Sequence, residues 1–315
     1  MSPRPLIVDC DPGQDDAVAL LLAFAAREEF DILGITAVAG NVPLALTESN
    51  ARRIRDLAGR PEVPVYAGCP RPMVRKPVTA ERIHGATDLD GAGLPEPVHP
   101  AGQAHAVDFL VETLLAAPEP VTLATLGPLT NVALAIVKNP AILANLREVV
   151  TMGGAAGAGN VTASAEFNIF ADPHAAHVVF EAGAPLIMIG LDVTHQAIAT
   201  PPRLEAIRAL GTAPAAAVCG MLDVYSAKTM AAYCHGAPLH DPCVIAYLLQ
   251  PDLFAGREIR VDIDIGSGPC FGRTVCDWRG RSGKPANARV LESINADGFF
   301  ALLTDHLARL PAGSA

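Results

Sequence analysis

Positive charge is in short supply in this chain. Lys and Arg number 23 against 33 Asp and Glu, a formal net charge of −10. A surface of that sign repels polyanions, which argues against nucleic-acid binding and for small neutral molecules or cations. The seven cysteines are an odd number, scattered from Cys10 to Cys276. They form no CxxC pair and no regular framework, so they read as reduced thiols. No stretch approaches the roughly 18 uncharged apolar residues of a membrane span. The first apolar run, Leu6-Ile7-Val8, is too short for the core of a secretory signal. Cytoplasmic residence is the expectation. A Ser/Gly-rich linker is missing, as is any internal repeat, so residues 1–315 are read as one domain. The hydrophobic share of 50% gives that domain a sizeable core.

What is present is an alternation of short apolar runs and helical patterns. Strands are predicted at 6–8, 32–38, 63–66, 121–126, 149–152 and 186–191. Helices are predicted at 15–29, 43–58, 105–117, from 129 onward, and at 172–182. Apolar runs without alternation, separated by helices, predict an α/β fold with a mostly parallel central sheet flanked by helices. The second half adds C-terminal helices at 204–210, 213–232, 240–249 and 296–310. It also adds a β-hairpin, an antiparallel pair at 257–264 and 273–278. Residues 71–100 are rich in Pro and Gly, with little periodicity. A long loop of this kind is often functional.

The strongest chemical signal is Val8-Asp9-Cys10-Asp11-Pro12-Gly13-Gln14-Asp15-Asp16. Four carboxylates fall within these residues, at the end of the first strand and the start of its helix, where open α/β sheets bind ligands. Crowded anions repel unless a cation offsets them. A dense set of oxygen ligands suits a hard divalent ion, Ca²⁺ or Mg²⁺. Pro12 and Gly13 supply the turn that folds Asp11 back toward Asp15 and Asp16. An acidic helix N-terminus would account for one or two of these residues, not four.

Other strand ends carry small and polar residues that would rim the same pocket. They are Ala39-Gly40-Asn41, Leu126-Gly127-Pro128-Leu129-Thr130-Asn131, Met152-Gly153-Gly154 and Leu191-Asp192. Each alone is ordinary turn chemistry. A Gly-rich loop adds Asn160, Glu166 and Asn168, groups able to bond sugar hydroxyls or simply to face solvent. Asp241 reads either as a helix N-cap or as a distant metal ligand, with His240 beside it as an acid. His84 in the long loop is equally open. His174 and His177 complete no metal set and are read as structural.

These residues together resemble the inosine–uridine preferring nucleoside hydrolases. Asp9 to Asp16 is similar to that family's Asp-x-Asp-x-Gly-x-Asp-Asp signature. The strand-end motifs, Asn160, Glu166, Asn168, His240-Asp241 and Gly272-Arg273-Thr274-Val275-Cys276-Asp277 follow in the family's order, over nearly the whole chain. The resemblance implies hydrolysis of the N-glycosidic bond of ribonucleosides through an oxocarbenium-like transition state. It implies Ca²⁺ held by Asp11, Asp16, Asp241 and the Leu126 carbonyl, with Asp9 in support. The ion would position the attacking water, and Asp15 would be the general base. Asn41, Met152, Asn160, Glu166 and Asn168 would line the ribose site. His84, His240 and Tyr233 would lie near the base, with His240 as the acid. A homodimer or homotetramer, with a nucleoside as the small-molecule partner and nucleoside salvage as the role, is implied as well. The chain departs from the pattern at Asp88, where the family usually has Gly.

Two other readings compete. A haloacid-dehalogenase-type phosphatase also places Asp-x-Asp after its first strand, but there Thr or Val normally follows one residue after the second Asp. Here Pro12-Gly13 follows, and Asp15, Asp16 and the Glu166 loop would be unexplained. A non-catalytic nucleoside- or calcium-binding protein on the same scaffold would have no use for Asp15 beyond the metal-binding carboxylates.

Overall fold

The computed structural model describes residues 2–80, 88–229 and 236–311. The unalternating apolar runs become strands buried on both faces. In chain order the first half gives β1 (Arg4–Cys10), α1 (Gln14–Ala25), β2 (Phe30–Ala37), α2 (Leu44–Leu57), β3 (Val65–Ala67), α3 (Ala106–Ala116), β4 (Val121–Thr125) and α4 (Thr130–Lys138). Then follow β5 (Leu146–Met152), α5 (Phe167–Ala171), α6 (Pro173–Glu181), β6 (Leu186–Ile189), α7 (Leu191–Thr194), β7 (Ile198–Ala199), α8 (Pro201–Arg208) and α9 (Ala213–Thr229). The chain closes with β8 (Ala237–Pro238), α10 (Pro242–Leu249), β9 (Phe254–Ile263), β10 (Thr274–Asp277), β11 (Ala288–Ile294) and α11 (Ala296–Leu307).

The main sheet has the order β10-β9-β11-β6-β5-β4-β1-β2-β3. β1 to β6 pair in parallel, and β11 joins β6 in parallel. Only β9 runs against its neighbours, β11 and β10. From β1 the chain steps outward to β3, then returns to the other side of β1 as β4. That reversal opens a crevice between the carboxyl ends of β1 and β4, the place where such sheets bind ligands.

Apolar side chains fill both faces of the sheet in two buried clusters. α1 is buried along its whole length, among α2, α9, α10 and α11. A helix apolar all round belongs in a core, and its burial leaves only the N-terminal turn, with Asp15 and Asp16, to meet the crevice.

The mostly parallel sheet with flanking helices is the architecture expected from the sequence. Its C-terminal part differs from that expectation. The antiparallel pair is present as β9 and β10, but it continues the main sheet through β11, a strand not predicted. β11 pairs with β9 across an irregularity between Leu291 and Ser293. That irregularity breaks the alternation by which a strand is recognised. The strand expected at 186–191 ends at Ile189, and Leu191 opens α7 instead. The helix expected at 213–232 is described as far as Thr229. Among the described residues, no helix is long and apolar enough to cross a membrane.

Candidate active site

The turn after β1 is built by its own carboxylates. Gly13 is extended and caps α1. Its N–H donates to Asp16 Oδ2 at 3.0 Å, and Asp11 N–H donates to Asp16 Oδ1 at 3.3 Å. Asn50 on α2 donates to the Pro12 carbonyl at 3.0 Å, fixing the turn from outside. Asp11 Oδ2 accepts the Asn41 N–H at 2.8 Å, while the Asn41 amide reaches the Asp11 carbonyl at 3.3 Å. The Asp11 carboxylate lies between Gly40 and Gly127. A Cβ at either position would sit well inside contact distance of one of its oxygens. The two strand-end glycines are thereby explained: they leave room for a carboxylate. Asp9 Oδ2 accepts from Thr36 Oγ1 at 2.6 Å and Asn131 Nδ2 at 2.8 Å. Its other oxygen is buried with no hydrogen-bond partner among the described residues.

Asp241 comes to this turn from the far end of the sequence. It is the N-cap residue of α10 by position, but its side chain makes no capping bond there and is left for the turn. One carboxylate oxygen each of Asp15, Asp16 and Asp241 lies within 4.8 Å of the others, all buried, a grouping able to hold a metal ion. The expected ligand set shares Asp16 and Asp241 with this grouping; Asp11 stands beside it in its glycine cradle, and Asp15 is inside it. Burial pushes the Asp9 carboxyl up to about 7. Burial, followed by the neighbouring charge of Asp15, pushes Asp16 up to about 7. Asp11 and Asp241 are raised well above the usual carboxylate range, again by burial first and the neighbouring aspartates next. Among the described residues, the main influences on Asp11, Asp16 and Asp241 are burial, neighbouring aspartates and hydrogen bonds, with no Lys or Arg. Buried like charges without a protein cation fit a divalent ion, and an all-oxygen set fits a hard one.

The Gly-rich loop closes the crevice from the β5 side. Glu166 caps α5, accepting Asn168 N–H at 2.8 Å and Ile169 N–H at 3.1 Å, and also accepts Gly154 N–H at 2.9 Å. Burial pushes its carboxyl up to about 7. The Asn168 amide donates to the Leu126 carbonyl at 2.6 Å and to the Met152 carbonyl at 3.2 Å, joining the ends of β4 and β5. Asn160 is exposed, and its side-chain oxygen accepts Phe167 N–H at 3.0 Å. The structure thus brings Asn41, Leu126, Met152, Glu166 and Asn168 to the crevice, buried, and leaves Asn160 exposed on the loop beside them. Sequence reasoning missed what holds this loop. Asp192 accepts Ala156 N–H at 2.6 Å and Gly157 N–H at 3.1 Å, and Thr274 bonds both polar backbone atoms of Ala155.

His240 is buried next to Asp241, with its Nδ1 2.7 Å from Thr194 Oγ1. The expected base-side residues His84 and Tyr233 lie outside the described residues. Asp88, fully buried, has φ +64, a left-handed conformation that favours Gly. The position that departs from the family pattern is therefore one whose backbone suits the family's residue. The Asp88 carboxylate faces the Gly13 α-carbon, 2.8 Å from where a Cβ there would be.

A mostly parallel sheet flanked by helices carries, at its switch point, a buried cluster of carboxylates able to hold a metal ion. Residues 6–301 match the family described as inosine-uridine preferring nucleoside hydrolase, and the chain belongs to that family. It is an N-glycosyl hydrolase acting on nucleosides. It is 45% identical to the pyrimidine-specific ribonucleoside hydrolase RihB of Shigella flexneri over 97% of each chain. Among solved structures it resembles a purine-preferring ribonucleoside hydrolase from Gardnerella vaginalis, at 32% identity and TM-score 0.90. That match covers 97% of this chain and 98% of the other. A plant nucleoside hydrolase matches at 28% identity and TM-score 0.89, covering 97% and 99%.

Proposed function

We propose that the carboxylate cluster holds Ca²⁺ and that the chain hydrolyses ribonucleosides there, with Asp15 as general base and His240 as acid. The observation that carries this reading is the convergence of Asp15, Asp16 and Asp241 within 4.8 Å, buried in the crevice beside Asp11. Asp11, Asp16, Asp241 and the Leu126 carbonyl would hold the ion, with Asp9 supporting them. When bound, the ion supplies Lewis acidity toward a water and a fixed point for the ribose diol. Asp15 accepts the proton of the attacking water, an effect worth about 10²–10⁴-fold. Asn41, Glu166 and Asn168 fix the sugar, with Asn160 reaching it from the exposed part of the loop. The surrounding carboxylates and amide oxygens stabilise positive charge developing on the ribosyl ring. His240 protonates the departing base.

Pyrimidine ribonucleosides are the proposed substrates, on the strength of 45% identity to a pyrimidine-specific enzyme against 32% to a purine-preferring one. Free ribose released from uridine, cytidine, inosine and adenosine tests this. The two pyrimidines should give the higher kcat/KM; a preference for the purines would overturn the assignment. A homodimer or homotetramer, cytoplasmic and serving nucleoside salvage, belongs to the same proposal. Light scattering checks the oligomer.

A further inference from the structure

The four-residue helix α7 stands between the two sides of the site. Its position is set by register. β7 and β8 pair Ile198 with Pro238 and Ala199 with Ala237. The Leu239 N–H then donates to the Ala197 carbonyl at 2.9 Å. This short zipper draws 194–199 against 237–240 and lays Thr194 on His240. Thr194 is fully buried, and its hydroxyl lies 2.7 Å from His240 Nδ1. The His195 ring meets His240 edge-on, with centroids 5.7 Å apart. The imidazole is therefore held at one nitrogen and braced on one edge.

We propose that Thr194 is a positioning residue for His240, aiming Nε2 at the departing nucleobase. The inference rests on the reading of His240 as the acid. A threonine hydroxyl suits the task because its oxygen can accept Nδ1–H of an imidazolium. When the Nε2 proton leaves, the neutral ring keeps its proton on Nδ1, so the same contact survives the transfer and Nε2 stays directed. Valine has the shape of threonine but cannot accept the bond. Serine keeps the hydroxyl and loses only a methyl group.

The test compares Thr194→Val, Thr194→Ser, His240→Ala and the double variant Thr194→Val/His240→Ala, each on uridine and on p-nitrophenyl riboside. The phenolate leaves the second substrate without protonation. Thr194→Val should lose roughly tenfold in kcat on uridine, the cost of one buried hydrogen bond, and little on the phenyl riboside. Thr194→Ser should recover most of that loss. The double variant should be no slower than His240→Ala, because Thr194 acts through the ring. Losses that multiply in the double variant would overturn the proposal, as would Thr194→Val at full rate on uridine or equal losses on both substrates. Asp192→Ala, on the same helix but bonded to the 156–157 backbone, should show no leaving-group preference. If it copied the Thr194→Val pattern, the effect would belong to the helix and not to the hydroxyl, and the proposal would fall. Failure of the underlying reading has its own signature, His240→Ala losing equally on both substrates.

Discussion

The carboxylates of this molecule live under two opposite regimes. On the flank of the sheet, Asp262 of β9 meets Arg260 Nε at 2.9 Å and Lys284 Nζ at 3.1 Å, and Glu181 also pairs with Arg260. Partial burial works against the Asp262 anion, but the bonds from Arg260 and Lys284 outweigh it and hold the carboxyl below its ordinary value. At the carboxyl ends of β1 and β4, Asp9, Asp11 and Asp16 have burial without a cationic partner among the described residues, and their carboxyls rise. The first arrangement is what a fold does for its own stability. The second costs stability, and a chain that keeps it is keeping a place for a ligand.

If that contrast is right, substitutions in the two regions should differ in kind. The largest effect is expected from Asp241→Asn, which removes a charge from the cluster. Ca²⁺ binding by calorimetry should weaken drastically. Ribose release should fall by more than the roughly 10–100-fold that loss of a mere supporting residue costs. Asp15→Asn should come next, with kcat down by about 10²–10⁴-fold and Ca²⁺ still bound. If calorimetry instead showed the ion lost, Asp15 would be a ligand, as its place in the 4.8 Å grouping allows, and the roles of Asp15 and Asp16 would need revision.

A smaller effect separates the regions by pH. Burial raises the Glu166 carboxyl to about 7 in the fold, from its ordinary value of 4.5. The fold favours its neutral form, so between these values the folded state binds more protons than the unfolded one and stability falls as pH rises. In chelator-treated protein, Glu166→Gln should therefore gain in Tm relative to the parent as pH is raised from about 4.5 to about 7. A difference independent of pH would contradict the assignment. The smallest effect is expected on the flank. Asp262→Asn should leave ribose release unchanged and move Tm by no more than roughly 2–4 °C, as for an ordinary surface ion pair.

How much of this was legible beforehand follows the same division. The turn from Asp9 to Asp16 announces itself, because no soluble core needs four carboxylates at one strand end. The parallel sheet was legible too, since strands buried on both faces keep uninterrupted apolar runs. β11 was not, because the irregularity at Leu291–Ser293 destroys its alternation. Thr194 carried no signal of its own, and Asp192 was read only as part of the pocket rim. Nothing in the spacing says that a threonine 46 residues before His240 will touch it; only the β7–β8 pairing brings them together. Glu166 was read as a sugar ligand; its bonds from Asn168 and Ile169, which cap α5, were not foreseen. Asp88 was visible as an anomaly, and its positive φ gives the anomaly a physical meaning.

The central claim is that the buried carboxylates at the end of β1 exist to hold a cation on which hydrolysis depends. The direct measurement is a titration of Ca²⁺ into protein stripped with a strong chelator and verified metal-free, following ribose release and Tm in the same samples. Both should rise together and saturate at one ion per chain, because an ion that binds only the folded state stabilises it by mass action. Full ribose release from the metal-free protein, before any Ca²⁺ is added, would contradict the account.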